Sequence, residues 1–358
     1  MTTGPAVVDL VVVVALVVVV ALTVLVVDVE VLVAVDEVVP AARVKPSVPL
    51  PPHAAKASNP KAVSMRRTHL VSRNMDLRVM LEPQQGATYD HQLAIAQAAE
   101  AAGFDGFFRS DHLMRFDQDD PGPGPTESWV TLAGIARETS RIRLGTMVTS
   151  MTFRFPGMLA IEVAQVDAMA NGRVELGLGA GWFDPEHHAH AVPFPPLGQR
   201  FDMLEEQLQI VLGMWTTPNG ERFSFEGKHY TVVDSPGLPK PAQQPHPPII
   251  IGGAGSKRTP RLAALYADEF NVPFHAVADF AKSIARVKKA CEEQGRDPSS
   301  LVYSAAVNVD IRANSADKVV DELSRFKEAG AQRLYMQLLD TADAEQVSII
   351  ASEVNPHL

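Results

Sequence analysis

From residue 76 onward, short apolar runs alternate with longer stretches whose apolar positions recur at helical spacing. The apolar runs lie at 77–81, 104–109, 142–149, 173–178, 248–251, 269–273, 302–311 and 333–338. They have the continuous hydrophobic character of strands covered on both faces in a parallel sheet. Helical spacing marks 89–102, 128–139, 157–170, 200–215, 260–267, 278–293, 316–328 and 344–354, the first of them stopping at Gly103, a natural helix C-cap. Residues 222–233 alternate around Gly227 and read as an inserted hairpin. Eight strands alternating with helices predict an α/β fold, a (β/α)8 TIM barrel with that hairpin as an insertion. A doubly wound open sheet is the alternative, but Gly177-Leu-Gly-Ala-Gly181 lacks the usual dinucleotide-binding spacing.

Residues 1–74 do not share this rhythm. An uncharged, valine-dominated run covers 10–27 and continues as Val-Asp-Val-Glu-Val, which alternates like a strand. A Pro/Ala-rich basic linker follows, from 40 to 74. No Lys or Arg precedes the apolar run, which argues against a secretory signal. Three readings stand side by side: a single-pass anchor, whose basic flank would place the rest on the cytoplasmic face of the membrane; a disordered tail; or a translation start that really lies at Met75 or Met65. The domain division expected is therefore 1–74 as a non-globular extension and 75–358 as the barrel, in the cytoplasm or anchored to its membrane.

Charge narrows the partners. The net charge is −10, and the first 74 residues hold seven basic against five acidic side chains, so the barrel carries all of the acidity. That disfavours nonspecific nucleic-acid binding. One cysteine, Cys291, rules out a disulfide framework and fits a reducing compartment. Its charged surroundings read as a helix surface.

Active sites of such barrels sit at the C-terminal ends of the strands. The second strand ends in Ser110-Asp111-His112, a carboxylate beside an imidazole, a residue pair suited to acid/base work. The third ends in Thr146-Met147-Val148-Thr149-Ser150, the fourth in Gly179-Ala180-Gly181-Trp182. The fifth breaks into Gly252-Gly253-Ala254-Gly255 ahead of a helix start, where bare N–H groups suit an anion and Arg258 is within reach to pair with it. Each feature has a plain alternative: a turn, a helix cap or close packing. Their coincidence on one rim points to a flat, phosphorylated cofactor. His187, His188 and His190 crowd the loop after the fourth strand; without a carboxylate spacing they read as loop histidines rather than a metal site, with His187 lining the pocket.

Taken as an ordered set, Ser110-Asp-His112, Leu144-Gly-Thr-Met-Val-Thr-Ser150, Thr152-Phe-Arg-Phe-Pro156, the run Gly172 to Trp182, Arg200-Phe-Asp-Met-Leu-Glu-Glu206 and the run Pro248 to Gly255 resemble the luciferase-like monooxygenase superfamily, and more narrowly its deazaflavin (coenzyme F420)-dependent oxidoreductases. The likeness covers residues 75 to the C-terminus. It implies a barrel holding the deazaflavin at its mouth and passing a hydride to or from the ring. It implies His112 as acid/base beside Asp111, a non-prolyl cis peptide at Met147–Val148 buttressing the ring, Gly252 to Gly255 as the phosphate loop, and a homodimer. Two positions depart from the pattern: Phe155 stands where many members carry His or Tyr, and Trp182 where sugar-phosphate-oxidising members carry a carboxylate. The second departure disfavours sugar-phosphate chemistry and leaves His112 without an obvious local acid. The resulting expectation is an F420-dependent oxidoreductase of a small organic substrate. Its alternatives are an FMN-dependent monooxygenase using O2 and a non-catalytic (deaza)flavin-binding protein.

Overall fold

The computed structural model describes residues 75–117, 122 and 124–358. The expectations for residues 1–74 lie outside them. Among the described residues no helix is long and apolar enough to cross a membrane.

The strands are β1 (Asp76–Leu81), β2 (Gly106–Arg109), β3 (Arg143–Thr146), β4 (Thr149–Ser150), β5 (Val174–Gly179), β6 (Phe223–Glu226), β7 (Thr231–Ser235), β8 (Ile249–Gly252), β9 (Glu269–Pro273), β10 (Val302–Val309) and β11 (Arg333–Leu338). The helices are α1 (Tyr89–Ala101), α2 (Ser128–Glu138), α3 (Pro156–Met169), α4 (Asp184–Ala189), α5 (Leu197–Thr216), α6 (Arg258–Tyr266), α7 (Val277–Glu293), α8 (Ala316–Glu328) and α9 (Glu345–Glu353).

All pairings in the main sheet are parallel, and the sheet closes on itself. β1 pairs with β2 and β11, β2 with β3, and both β3 and β4 pair with β5. From there the order runs β5, β8, β9, β10 and β11. The predicted third strand is thus one barrel position broken into β3 and β4, and the Met147–Val148 peptide at the break is cis. β6 and β7 form the antiparallel hairpin.

Inside the barrel the side chains form layers. The lowest is ionic: Arg78 donates to Glu175 at 2.7 Å and to Asp76 at 3.0 Å, while Arg333 pairs with Asp76, Glu175 and Glu269. Such charges tolerate burial only because each is paired and hydrogen-bonded. Above them sits an apolar layer of Met80, Phe108, Ile250, Ala306 and Tyr335, capped by Met147. The inward positions above that plug form the site.

Two local features depart from the sequence expectation. Cys291 is fully buried, because α7 turns Phe280, Ile284, Val287 and Cys291 onto the barrel in a single stripe. The stretch read as a histidine-bearing loop contains α4, with Pro185 in its first turn beside Asp184 and Glu186. Proline's fixed φ and acidic groups near the N–H-rich end favour a helix start there.

Candidate active site

The C-terminal ends of the strands surround a cavity of about 540 Å³, within the range of cofactor and substrate pockets. Every expected rim segment contributes to it: Ser110, Asp111 and His112; Met147, Val148 and Ser150; Gly179 to Trp182; and Gly252, Gly253 and Gly255.

One wall is shaped by the β3–β4 break, where Val148 faces a set of glycines. A Cβ on Gly177 would lie 2.9 Å from Val148 Cγ1 and 2.1 Å from the Thr146 carbonyl oxygen. A Cβ on Gly179 would lie 2.8 Å from Val148 Cγ2. These contacts are closer than packed atoms allow, so only glycine leaves Val148 its place in the wall. The fourth-strand glycines therefore serve the isopropyl group as well as the cavity.

Polar groups wait on the opposite side. The Asn271 side-chain amide donates to Ser304 Oγ at 2.9 Å, and Ser304 Oγ itself donates to Glu269. This chain fixes the amide's orientation and leaves Oδ1 buried without a partner; Gln337 Oε1 is in the same condition. Both residues line the cavity. Buried acceptors without donors are costly, and a flat heteroaromatic ring with N–H groups on its edge would satisfy them. The cavity thus fits a flavin-like ring between an aliphatic wall and two amide acceptors. Beyond it, Gly253 has φ +130°, and a Cβ on Gly255 would come within 2.7 Å of Thr259 Oγ1, so the glycine loop keeps its backbone open ahead of α6.

His112 pairs with a carboxylate at the cavity wall. Its Nδ1 lies 3.0 Å from Glu186 Oε1, and the Leu113 N–H donates to the other carboxylate oxygen at 2.8 Å. A carboxylate at Nδ1 holds the proton there and leaves Nε2 with its lone pair in the neutral ring. Phe116 and Trp182 pack edge-on at 4.8 and 5.5 Å between centroids. The acid that seemed missing at position 182 is supplied by α4. Glu82, at the end of β1, adds a further carboxyl to the cavity. Burial pushes its pKa up, and His112 and a Gln337 hydrogen bond pull it only partly back.

Other expected site residues occupy supporting positions. Asp111 borders the cavity, but Arg154 grips its carboxylate from two sides at 2.6 and 3.1 Å, and the Ser150 N–H donates to it at 3.1 Å. Burial raises the Asp111 pKa, yet Arg154 outweighs it and the net shift is downward. Its carboxylate ties β2 to β4 rather than being free for proton transfer. Thr149 is buried behind the wall, accepting from the Trp129 indole at 3.2 Å.

His187, expected in the lining, is also fully buried. Its Nδ1–H donates to the Phe183 carbonyl at 2.8 Å and its Nε2 accepts from Thr152 Oγ1 at 2.6 Å. Thr152 in turn meets Ser150 Oγ at 2.7 Å. With both hydroxyl protons pointing toward His187, Ser150 presents lone pairs to the cavity. Arg258 does not point into the glycine loop: it pairs with Asp202 at 2.6 Å and donates to the Gly198 carbonyl at 2.9 Å. Ala254 lies in the loop but outside the cavity wall.

The comparisons with known proteins agree with this geometry. A family model described as luciferase-like monooxygenase matches residues 74–347. The F420-dependent hydroxymycolic acid dehydrogenase of Mycobacterium tuberculosis is 33% identical over 259 residues, which is 71% of this chain and 67% of that protein. The F420-dependent glucose-6-phosphate dehydrogenase of Nakamurella multipartita is 36% identical over 186 residues, 49% of this chain and half of the relative. A solved F420-dependent secondary alcohol dehydrogenase, in complex with an F420-acetone adduct, superposes with TM-score 0.70 at 19% identity, covering 80% of this chain and 99% of its own; at that identity the likeness shows the fold. With that match over most of its length, this chain belongs to the luciferase-like monooxygenase family.

Proposed function

We propose that this protein is an oxidoreductase that transfers a hydride between coenzyme F420 and a small organic substrate. The observation that carries the reading is the His112–Glu186 pair in a cavity whose other wall is the glycine-backed Val148. The F420-dependent names of its relatives support the choice of cofactor.

Val148 and Gly179 would face the ring, Asn271 and Gln337 would accept from its polar edge, and the loop from Gly252 to Gly255 would receive the phosphate. The bound deazaflavin supplies a two-electron hydride acceptor or donor at a ring carbon that reacts poorly with oxygen. His112 supplies the matching proton step. As a substrate C–H bond breaks and its carbonyl forms, Nε2 takes the hydroxyl proton, and Glu186 stabilises the imidazolium through Nδ1. In the reverse direction the same nitrogen donates.

A second reading, an FMN-dependent monooxygenase using O2, draws on the family description and on the monooxygenases among the relatives. Following the absorbance of oxidised F420 during addition of candidate alcohols tests the first reading. Bleaching without oxygen uptake supports it, whereas turnover only with reduced FMN and O2 supports the second.

A further inference from the structure

Two arginines close the base of the connection that carries His112. Residues 110–127 join β2 to α2, a longer stretch than most connections in a compact domain. Arg154 reaches both of its ends, Asp111 at the start and Glu127 and Ser128 at the finish. Arg109, the last residue of β2, spans nearly the same two points. Its Nε donates to the Ser110 carbonyl at 3.0 Å, its Nη2 to the Thr126 carbonyl at 2.7 Å and its Nη1 to Thr126 Oγ1 at 2.8 Å.

The two guanidiniums differ in what answers their charge. Arg154 meets three carboxylates, Asp111, Glu127 and Glu162. Arg109 is fully buried, and its hydrogen bonds go to carbonyls and one hydroxyl. Burial pulls its pKa down to about 10, against the opposing effect of Asp111 and Glu127. A buried cation held only by neutral acceptors costs stability relative to an apolar side chain of similar volume. What arginine alone supplies here is a planar fork whose donors reach both ends of one connection at once.

That fork bears on His112 through Ser110. The Ser110 N–H donates to the Leu81 carbonyl at 3.0 Å and its hydroxyl to Gln84 Oε1 at 2.7 Å, so Arg109 completes the hold on this residue. Two residues on, His112 meets Glu186, and Phe116 packs against the imidazole. A peptide plane that turned at Ser110 would carry the ring off its carboxylate. We propose that Arg109 is a positioning residue for His112: by tying Ser110 to Thr126 it keeps the imidazole on Glu186 at the cavity wall. The assignment rests on the hydride-transfer reading for the proton His112 moves, and on geometry alone for where the ring is held. Among the described residues all Arg109 side-chain hydrogen bonds stay within 110–127, away from Val148, Gly179, Asn271 and the glycine loop.

The test reads the His112 ring directly. In the purified full chain without cofactor, the hydrogen-bonded Nδ1–H resonance is followed by nitrogen–proton correlation NMR and assigned by its absence from His112→Ala. Arg109→Met is expected to broaden or shift it through exchange with water. The same variant should lower kcat with F420 by about 10- to 100-fold, the loss that a slightly misplaced catalytic group produces, while the F420 dissociation constant stays nearly unchanged. Arg109→Lys keeps the charge without the fork and should resemble Arg109→Met. Thr126→Val removes one acceptor, should give a smaller change in the same direction, and decides the matter where the arginine variants fail to fold. An unchanged resonance, an unchanged kcat, F420 affinity falling as far as kcat, or a wild-type Nδ1–H already in free exchange overturns the proposal. Absence of any turnover with F420 overturns the hydride-transfer reading instead, and the resonance then decides by itself whether Arg109 holds His112.

Discussion

Nδ1 of His112 lies 3.0 Å from Oε1 of Glu186, although the two residues are 74 positions apart in sequence and sit on different barrel units. The second strand delivers the imidazole, and helix α4 after the fourth strand delivers the carboxylate. The pair therefore exists only once the barrel is closed. Replacing His112 with Ala is expected to lower kcat by about 10²–10⁴-fold while leaving the F420 dissociation constant nearly unchanged. Glu186→Gln should give a smaller loss of kcat in the same direction. Full turnover by the His112 variant would remove it from the proton step.

The Asp111–Arg154 pair predicts a stability effect rather than a purely catalytic one. Both partners are largely buried, and Asp111→Asn leaves Arg154 only its two more exposed partners, Glu127 and Glu162. The expected loss at pH 7 is about 1–3 kcal/mol. The Asp111 pKa is depressed below the ordinary 3.8. Its contribution is therefore complete above that value and disappears as pH falls through the lower folded pKa. Urea midpoints of wild type and variant should differ most at neutral pH and converge in strong acid. A constant gap across that range would contradict the assignment.

Gly179 and Val148 should be coupled. Gly179→Ala places a methyl group 2.8 Å from Val148 Cγ2, and overpacking of this kind costs about 1–3 kcal/mol. The cost is expected as weaker F420 binding, by roughly 10- to 100-fold. Val148→Ala in the same chain should restore part of it, giving a non-additive double-mutant cycle. Strict additivity would mean that the valine is not what the glycine accommodates.

His187 gives a pH signature. Burial lowers its pKa below the ordinary 6.5, with the Phe183 carbonyl opposing part of the shift. The unfolded chain then binds the proton more readily than the folded one. Stability from this group is full above pH 6.5 and is lost as pH falls toward the folded pKa. Thermal melts across this interval should show a steeper decline for wild type than for His187→Gln. Parallel profiles would show that His187 does not titrate differently on folding.

The barrel was legible in the sequence because its strands are covered on both faces, so their apolar runs are unbroken and their spacing regular. The rim was legible for the same reason: 110–112, 179–182 and 252–255 follow directly from where those runs stop. What stayed hidden depends on direction rather than position. Asp111 sits where an acid/base residue belongs, yet Arg154, 43 residues away, takes its carboxylate.

His187 and Glu186 are neighbours, and α4 turns the histidine inward to Thr152 and the glutamate to His112. Reading Asp184-Pro185 as a helix start would have exposed that division, because adjacent positions on a helix face different sides. Glu82 needed only the end of β1, but a single carboxyl after a strand carries no pattern. Cys291 was misplaced because the charged residues around it belong to the outer face of α7, while its own position lies on the buried stripe with Val287 and Ile284.

The central claim is that the cavity is built for a deazaflavin, and one titration tests it most directly. The full chain is mixed with F420 and, separately, with FMN, and binding is followed by cofactor fluorescence and absorbance. The account predicts saturable binding of F420 and a preference for it over FMN, weakened in both Gly179→Ala and Asn271→Leu. Selective binding of FMN would contradict the cofactor assignment and favour oxygen-dependent chemistry, and binding of neither would leave the barrel without the cofactor proposed for it.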